Sequence, residues 1–144
     1  MQKAVAILLV EDNEADAKLT SKALKKVNAL NQLCVVEYGF KVMDFLMQRG
    51  DFVDAPRPGL ILLDLNLPKR NGHEVLHEVK TDPNLARIPI VVLTTSGAQE
   101  DIQLCYKLHA NSYIQKPVDF PGFVAVIRSI HSYWLGVVKL PSSG

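Results

Sequence analysis

The sequence has little cysteine, no excess of charge of either sign and no long hydrophobic run. Its only two cysteines, Cys34 and Cys105, match no metal-binding or disulfide motif, which predicts reduced thiols in a cytoplasmic protein. The 16 basic and 15 acidic residues leave a net charge of +1, so nothing indicates binding to nucleic acid or to an anionic membrane. No apolar run approaches the roughly 20 residues of a membrane-spanning helix.

Short apolar runs alternate regularly with amphipathic segments. The pattern predicts strands at 5–10, 33–37, 60–63, 89–93 and 113–115. It predicts helices at 13–27, 40–48, from 72 to just before Pro83, at 98–109 and at 119–135. We therefore expect a single α/β domain over 1–144, with a core at about 4–135 and a short tail at 136–144. The expected architecture is a flavodoxin-like, doubly wound parallel sheet of five strands in the order 2-1-3-4-5, with five helices.

Polar side chains follow four of the five predicted strands. They are Glu11, Asp12, Asp64, Asn66, Thr94 and Lys116. The carboxyl ends of parallel strands meet at one edge of the sheet, where ligands bind in open α/β folds. Three carboxylates at one edge repel each other strongly unless a cation lies among them, and Mg²⁺ prefers oxygen ligands. The set predicts a site that holds Mg²⁺ or Mn²⁺ and transfers a phosphoryl group to an aspartate.

The segments that carry these residues resemble the receiver domains of two-component response regulators. They are LLVEDN at 8–13, LLDLNLP at 62–68, LTTS at 93–96 and the pair Lys116-Pro117. The loop at 49–58 and the tail around 133–135 and 140–141 are similar to the stand-alone regulators that partner bacterial phytochromes, best known in cyanobacteria. The resemblance implies a protein that accepts a phosphoryl group from a sensor histidine kinase of the phytochrome type and switches an interaction surface. It implies no enzymatic activity beyond self-directed phosphotransfer and autodephosphorylation.

The resemblance also implies how the cation and the phosphoryl group are held. Asp64 is the phosphoacceptor and, with Asp12, a direct ligand of the cation. Glu11 is a further ligand, directly or through water, and the backbone carbonyl of Asn66 supplies another oxygen.

Three further features follow from the resemblance. Lys116 pairs with the phosphoryl oxygens, and the Thr94 hydroxyl bonds a third oxygen. Tyr113 turns inward as part of the switch. The peptide bond before Pro117 is expected to be cis.

Two surfaces are predicted for partners. The kinase is expected to dock on the first helix and on the loop after Lys116, and the candidate residues are Ala15, Asp16, Lys18, Leu19, Pro117 and Val118. The last helix is apolar around most of its circumference, which indicates a symmetric homodimer through helix 4, strand 5 and helix 5. The interface residues are expected to be Phe120, Phe123, Ile127, Tyr133 and Trp134. The alternative is that the tail folds back over the same surface within one chain.

Other functions remain as alternatives. The main one is a receiver-fold interaction module that works without phosphate. His73 and His77 form the H-E-x-x-H pattern of zinc proteases, but no third ligand stands out, and helical geometry predicts that His73, His77 and Lys80 face solvent. A phosphohydrolase of the haloacid dehalogenase type would need an aspartate where Asn66 stands.

Overall fold

The computed structural model describes residues 5–27, 31–68 and 71–141. One sheet is built from β1 (Ala6–Val10), β2 (Gln32–Val36), β3 (Leu60–Leu63), β4 (Ile90–Thr94) and β5 (Ser112–Gln115). The order is β2-β1-β3-β4-β5, and all neighbouring strands are parallel. The predicted fold class and strand order are confirmed.

Four α-helices connect the strands and a fifth follows β5: α1 (Glu14–Val27), α2 (Val42–Leu46), α3 (Gly72–Thr81), α4 (Gln99–Lys107) and α5 (Phe120–Ile130). Side-chain caps begin three of them, because Asn13, Asn71 and Asp119 each accept a bond from a backbone N–H three residues on. No helix within the described ranges is long and apolar enough to cross a bilayer.

Two helices differ from the prediction. The segment expected as one helix at 40–48 is a 3₁₀ turn over Gly39–Lys41 followed by α2, and the left-handed backbone of Gln48 (φ 56°) follows its end. The segment expected as one helix to residue 135 changes at Ile130 into a π-helical stretch, His131–Val137. The bond from the Val138 N–H to the Tyr133 carbonyl (2.8 Å) has the five-residue spacing of that wider helix.

The core lies on both faces of the sheet, because the central strands β1, β3 and β4 are buried on both sides. On one face Leu8 and Leu63 pack with side chains of α2 and α3. On the other face Leu9 and Leu62 pack with α1 and α5. Burial on both faces explains why these strands are almost continuous apolar runs. Polar residues stand at or just after the ends of β1, β3, β4 and β5, at one edge of this apolar layer.

The tail after the π-helical stretch returns to the amino-terminal end of the sheet. Leu140 comes so close to Gly59 that a Cβ at Gly59 would lie 3.5 Å from Leu140 Cδ1. Pro141 lines a small cleft with Gly59 and Pro89. The described tail therefore lies at the start of β3 and β4, and the alternative that it covers the surface of α4, β5 and α5 is wrong.

Candidate functional site

Three acidic side chains meet where β1 and β3 end. Glu11 and Asp12 follow β1, Asp64 follows β3, and the Asp64 N–H donates to the carbonyl of Val10 (3.1 Å). One carboxylate oxygen from each acid lies within 4.8 Å of the other two. Glu11 and Asp64 are buried, whereas Asp12 is exposed. An oxygen cluster that is open on one side fits a divalent cation that keeps part of its water shell.

Lys116 brings the opposite charge into this cluster. Its N–H donates to the Thr94 carbonyl (2.7 Å), which fixes the start of the loop after β5. Its ammonium lies 2.5 Å from Glu11 Oε1 and 3.3 Å from Asp64 Oδ2. The Lys116 side chain is only 5% exposed, so the ammonium exchanges its hydration for these carboxylates.

The pKa values of Glu11 and Lys116 are both raised, but by different causes. Burial raises the pKa of Glu11 to about 7, the charge of Asp64 adds to the rise, and the bond to Lys116 opposes it. Burial alone would lower the pKa of Lys116, but the bond to Glu11 and the charge of Asp64 raise it. Lys116 therefore stays charged at neutral pH, and a proton competes with a cation for Glu11.

The two oxygens of the Asp64 carboxylate have different partners. Oδ1 accepts a hydrogen bond from the backbone N–H of Asn66 (3.1 Å), whereas Oδ2 faces Lys116. The Asn66 side chain is exposed and lies 3.5 Å from the Thr95 hydroxyl. The carboxylate is thus oriented from both sides.

The hydroxyl of Thr94 is buried without a hydrogen-bond partner among the described residues. Thr94 ends β4, the strand that lies between β3, which carries Asp64, and β5, which leads to Lys116. A buried hydroxyl that bonds to nothing costs about 1–3 kcal/mol. Such a group at the edge of a charged site fits an oxygen of a bound ligand.

Tyr113 points inward and holds the loop between β4 and α4. Its hydroxyl donates to the Ser96 carbonyl (2.8 Å), and its ring packs against the core. Its N–H donates to the hydroxyl of Tyr106 on α4 (3.2 Å). Burial raises the pKa of Tyr113, so its hydroxyl stays a donor at neutral pH.

The expectation of a cis bond before Pro117 is wrong, because the Lys116–Pro117 peptide is trans. The Lys116 side chain reaches the acids nevertheless. Its backbone is already fixed by the bond to Thr94, so the isomer of the following bond does not decide where the ammonium lies.

Among the described residues, the H-E-x-x-H helix has no third metal ligand near His73 and His77. His73 is partly buried between α3 and α4, where its Nε2 lies 3.1 Å from Asp101 Oδ1 and its Nδ1 lies 3.6 Å from Cys105 Sγ. Lys80 donates to the carbonyls of Ala86 and Ile88 (both 2.9 Å). The prediction that His73 and Lys80 face solvent is therefore wrong. Within the described ranges, the only group of three potential metal ligands is the acidic cluster.

His73 belongs to a polar chain that joins two helices and a loop. Ser96 donates to Asp101 Oδ2 (2.5 Å), and Asp101 contacts His73, which in turn contacts Cys105. The sequence of groups resembles a Cys-His-Asp triad, but burial raises the pKa of Cys105 to about 11 and its side chain is inaccessible. The thiol is therefore unreactive. The hydrogen bonds among Ser96, Asp101 and His73 link α3 to α4 and to the loop after β4.

The predicted interaction residues lie partly on the surface. Ala15, Leu19 and Val118 are exposed, and Pro117 is partly so.

Of the predicted dimer residues, only Phe120 and Tyr133 are well exposed. Phe123 and Ile127 are buried against the sheet, and Trp134 packs partly on the same core. The prediction that Phe123 and Ile127 belong to an interface is wrong, because both side chains are buried in the core of their own chain.

Sequence reasoning missed two contacts at the edge of the site. A Cβ at Gly72 would lie 2.6 Å from the Asp64 carbonyl and from Leu65 Cα, so the start of α3 can approach the Asp64 loop only with glycine. Asp16 on α1 lies 3.2 Å from the Lys116 ammonium. The Pro68–Gly72 turn was a signal for the first. Asp16 was predicted only as part of the kinase-docking surface, and nothing in the sequence indicated its contact with Lys116.

Comparison with known proteins identifies the family. The response regulator receiver domain matches residues 7–128, and the chain belongs to this family. It is similar to response regulator Rcp1 of Synechocystis sp., with 45% identity over 95% of this chain and 93% of that protein. It is also similar to the probable methanogenesis regulatory protein FilR2 of Methanothrix harundinacea, with 40% identity over 94% of this chain and 86% of that protein.

Solved structures agree. The phosphorylated cyanobacterial phytochrome response regulator RcpA has a TM-score of 0.93 and 44% identity, covering 97% of this chain and 100% of that one. The Mn²⁺-bound form of Rcp1 has a TM-score of 0.90 and 45% identity, covering 96% and 99%. The acidic cluster of this chain therefore stands in a fold that is known to hold a divalent cation.

Replacing Gly72 by alanine tests whether close packing fixes the Asp64 loop. The added Cβ would meet backbone atoms, so we expect Gly72→Ala to lower the free energy of unfolding by about 1–3 kcal/mol in urea titrations. Gly136→Ala is the control, because the nearest atom to a Cβ there is 3.9 Å away. Equal stabilities of the two variants would contradict this role of Gly72.

Proposed function

We propose that this response regulator accepts a phosphoryl group on Asp64 from the phosphohistidine of a sensor histidine kinase, with Mg²⁺ in the acidic cluster. One observation carries the proposal: the Asp64 carboxylate belongs to that cluster and contacts the Lys116 ammonium, and the neighbouring strand β4 ends at Thr94, whose buried hydroxyl has no partner among the described residues. These are the groups that phosphoryl transfer requires, since catalysis there consists of positioning and charge stabilisation.

The transfer itself assigns a role to each group. An oxygen of Asp64 forms a bond to phosphorus while the bond from phosphorus to the histidine nitrogen breaks, and that nitrogen leaves with the electron pair. Lys116 pairs with one phosphoryl oxygen, and the Thr94 hydroxyl donates to another. The product is an acyl phosphate.

The cation would be held by the acids and by the loop after β3. Asp12 and Asp64 are the proposed direct ligands, Glu11 binds directly or through water, and the Asn66 carbonyl adds an oxygen. When bound, Mg²⁺ neutralises part of the negative charge that gathers as the phosphoryl group arrives.

Switching is proposed to start at Thr94. A phosphoryl oxygen draws the Thr94 hydroxyl towards Asp64, and the loop after β4 follows. Tyr113 is bonded to Ser96 in that loop, so the motion would reach the surface that α4 and β5 share. The alternative, an interaction module that never takes phosphate, leaves the buried and unpaired hydroxyl of Thr94 without a purpose.

We further propose a phytochrome-type kinase as the partner, in the cytoplasm. The support is likeness: RcpA is a cyanobacterial phytochrome response regulator, and the bacteriophytochrome response regulator RtBRR is 40% identical to this chain, with a TM-score of 0.75. The proposed docking surface combines exposed apolar side chains of α1 and of the loop after β5, at Ala15, Leu19, Pro117 and Val118.

A homodimer through α4, β5 and α5 is proposed for the output. Leu104, Tyr106 and Tyr133 are each at least 40% exposed along this surface. A groove lined by Ile114, Tyr133 and Trp134 runs between β5 and the π-helical stretch. A second copy that placed its own aromatic side chains there would cover this apolar area.

Intact mass spectrometry after incubation with acetyl phosphate tests the phosphoacceptor. We expect one labile phosphoryl adduct on the wild type in the presence of Mg²⁺. We expect none with chelator, which removes the cation, and none on Asp64→Asn, which removes the nucleophile. An adduct of equal yield on Asp64→Asn would contradict the assignment.

The raised pKa of Glu11 predicts how Mg²⁺ binding depends on pH. Glu11, with a pKa of about 7, must lose its proton when the cation binds, so Mg²⁺ affinity measured by calorimetry should fall as the pH drops from 8 to 6. Glu11→Gln should remove most of this dependence. A pH-independent affinity in the wild type would contradict the competition between a proton on Glu11 and the cation in this pH range.

The docking surface is tested by Leu19→Glu. A charge at the centre of an apolar contact should slow transfer from a phosphorylated histidine kinase at least about tenfold. Transfer from acetyl phosphate should stay unchanged, because the chemistry at Asp64 is untouched. Val53→Glu, an exposed valine in the loop that leads to the opposite end of the sheet, is the matched control. Equal loss with both donors would show that Leu19 supports the fold instead.

The dimer is tested by analytical ultracentrifugation with and without acetyl phosphate. We expect a dimer in at least one state and a monomer for Tyr133→Glu, because a buried unpaired charge opposes association. A wild type that is monomeric in both states would contradict the proposed interface.

A further inference from the structure

The Lys116 ammonium has a third carboxylate that does not belong to the cation cluster. Asp16 Oδ2 lies 3.2 Å from Lys116 Nζ. The Asp16 side chain is 35% exposed, whereas those of Glu11 and Asp64 are 1% and 9% exposed. Asp16 is therefore the most exposed of the three carboxylates that contact Lys116.

Asp16 is not needed to place Lys116. The ammonium is already bound by the buried Glu11, and the Lys116 N–H is bonded to Thr94. Removing Asp16 would leave these contacts in place. The effect that we expect from Asp16 is therefore that of its negative charge beside the Lys116 ammonium.

An acid in the first turn of a helix also has an ordinary explanation, since it interacts favourably with the helix dipole. Glu14 shares the first turn of α1 with Asp16. Its carboxylate pairs with Lys18 on the surface (3.4 Å). Glu14 therefore reproduces the charge and the helical position of Asp16 without the contact to Lys116, which makes it a matched control.

We propose that Asp16 is a charge gate that slows phosphoryl transfer to Asp64 from small anionic donors. The inference rests on the proposed phosphoacceptor function of Asp64. Lys116 has to turn towards the incoming phosphoryl oxygens, and the Asp16 carboxylate both competes for this ammonium and repels the donor. The effect is strongest for a donor with two negative charges, so the gate favours a kinase that is held by surface contacts over free phosphate compounds.

The test compares initial rates of adduct formation by intact mass at saturating Mg²⁺. The donors are acetyl phosphate and phosphoramidate, which carries one negative charge fewer near pH 7. For Asp16→Asn we expect a rise of roughly threefold to tenfold with acetyl phosphate, in the range of electrostatic steering, and a smaller rise with phosphoramidate. The gain should shrink with added salt. Asp16→Glu should keep the wild-type rate, and Glu14→Gln should change it less than about twofold.

The outcomes distinguish the proposed effect of Asp16 from the proposed phosphoacceptor function of Asp64. If Asp16→Asn and Asp16→Ser, each checked for folding by thermal denaturation, react no faster than Glu14→Gln, the gate is refuted. If they react more slowly than the wild type, Asp16 positions Lys116 and the proposal is again wrong. If the wild type itself forms no adduct, the phosphoacceptor function of Asp64 fails, independently of Asp16.

Discussion

The Lys116 ammonium is surrounded by carboxylates from three separate elements of the fold. Glu11 follows β1, Asp16 lies on α1 and Asp64 follows β3. Without this cation, buried acids of like charge would repel each other at the centre of the sheet edge. Within the described residues, the ammonium balances these acids as long as no metal ion lies among them. We expect a bound cation or phosphoryl group to redistribute these ion pairs around Lys116.

The fold delivers these groups because its strands are apolar and its strand ends are polar. Parallel pairing aligns the ends of β1, β3, β4 and β5 at one edge, and the contact at Gly72 holds the Asp64 loop against α3. From this edge, the bond between Tyr113 and Ser96 leads to Asp101 and His73. These hydrogen bonds connect the loop after β4 with α3 and α4, so a movement of that loop would be felt at both helices.

The sequence predicted the strand order and the residues at the strand ends, because apolar runs of strand length separated by helical segments admit few topologies. It could not predict how helices meet. Helical periodicity predicted that His73 faces solvent. In the structure His73 instead contacts Asp101 and Cys105 of α4. The same periodicity left Asp16 as a surface acid, although α1 brings it to Lys116 across a sequence separation of 100 residues.

The apolar surface of α5 shows the same difficulty. Composition indicated more apolar surface than one sheet could bury, yet Phe123 and Ile127 are both in the core. The change to a π-helix after Ile130 turns the following aromatics, so that Tyr133 is exposed while Trp134 packs partly inward. A change of helical pitch alters which side chains share a face, and no periodicity fitted to a regular helix anticipates it.

A crystal structure with Mg²⁺ and beryllofluoride, a mimic of the phosphoryl group, would test whether Asp64 is phosphorylated and whether Lys116 changes its partners. We expect beryllofluoride on Asp64, the cation at Asp12 and at the carbonyl of Asn66, and a fluorine that accepts a hydrogen bond from the Thr94 hydroxyl. We also expect that the Lys116 ammonium turns from Glu11 to a fluorine. Beryllofluoride bound elsewhere, or a Lys116 that keeps its contacts with Glu11 and Asp16 unchanged, would contradict these expectations.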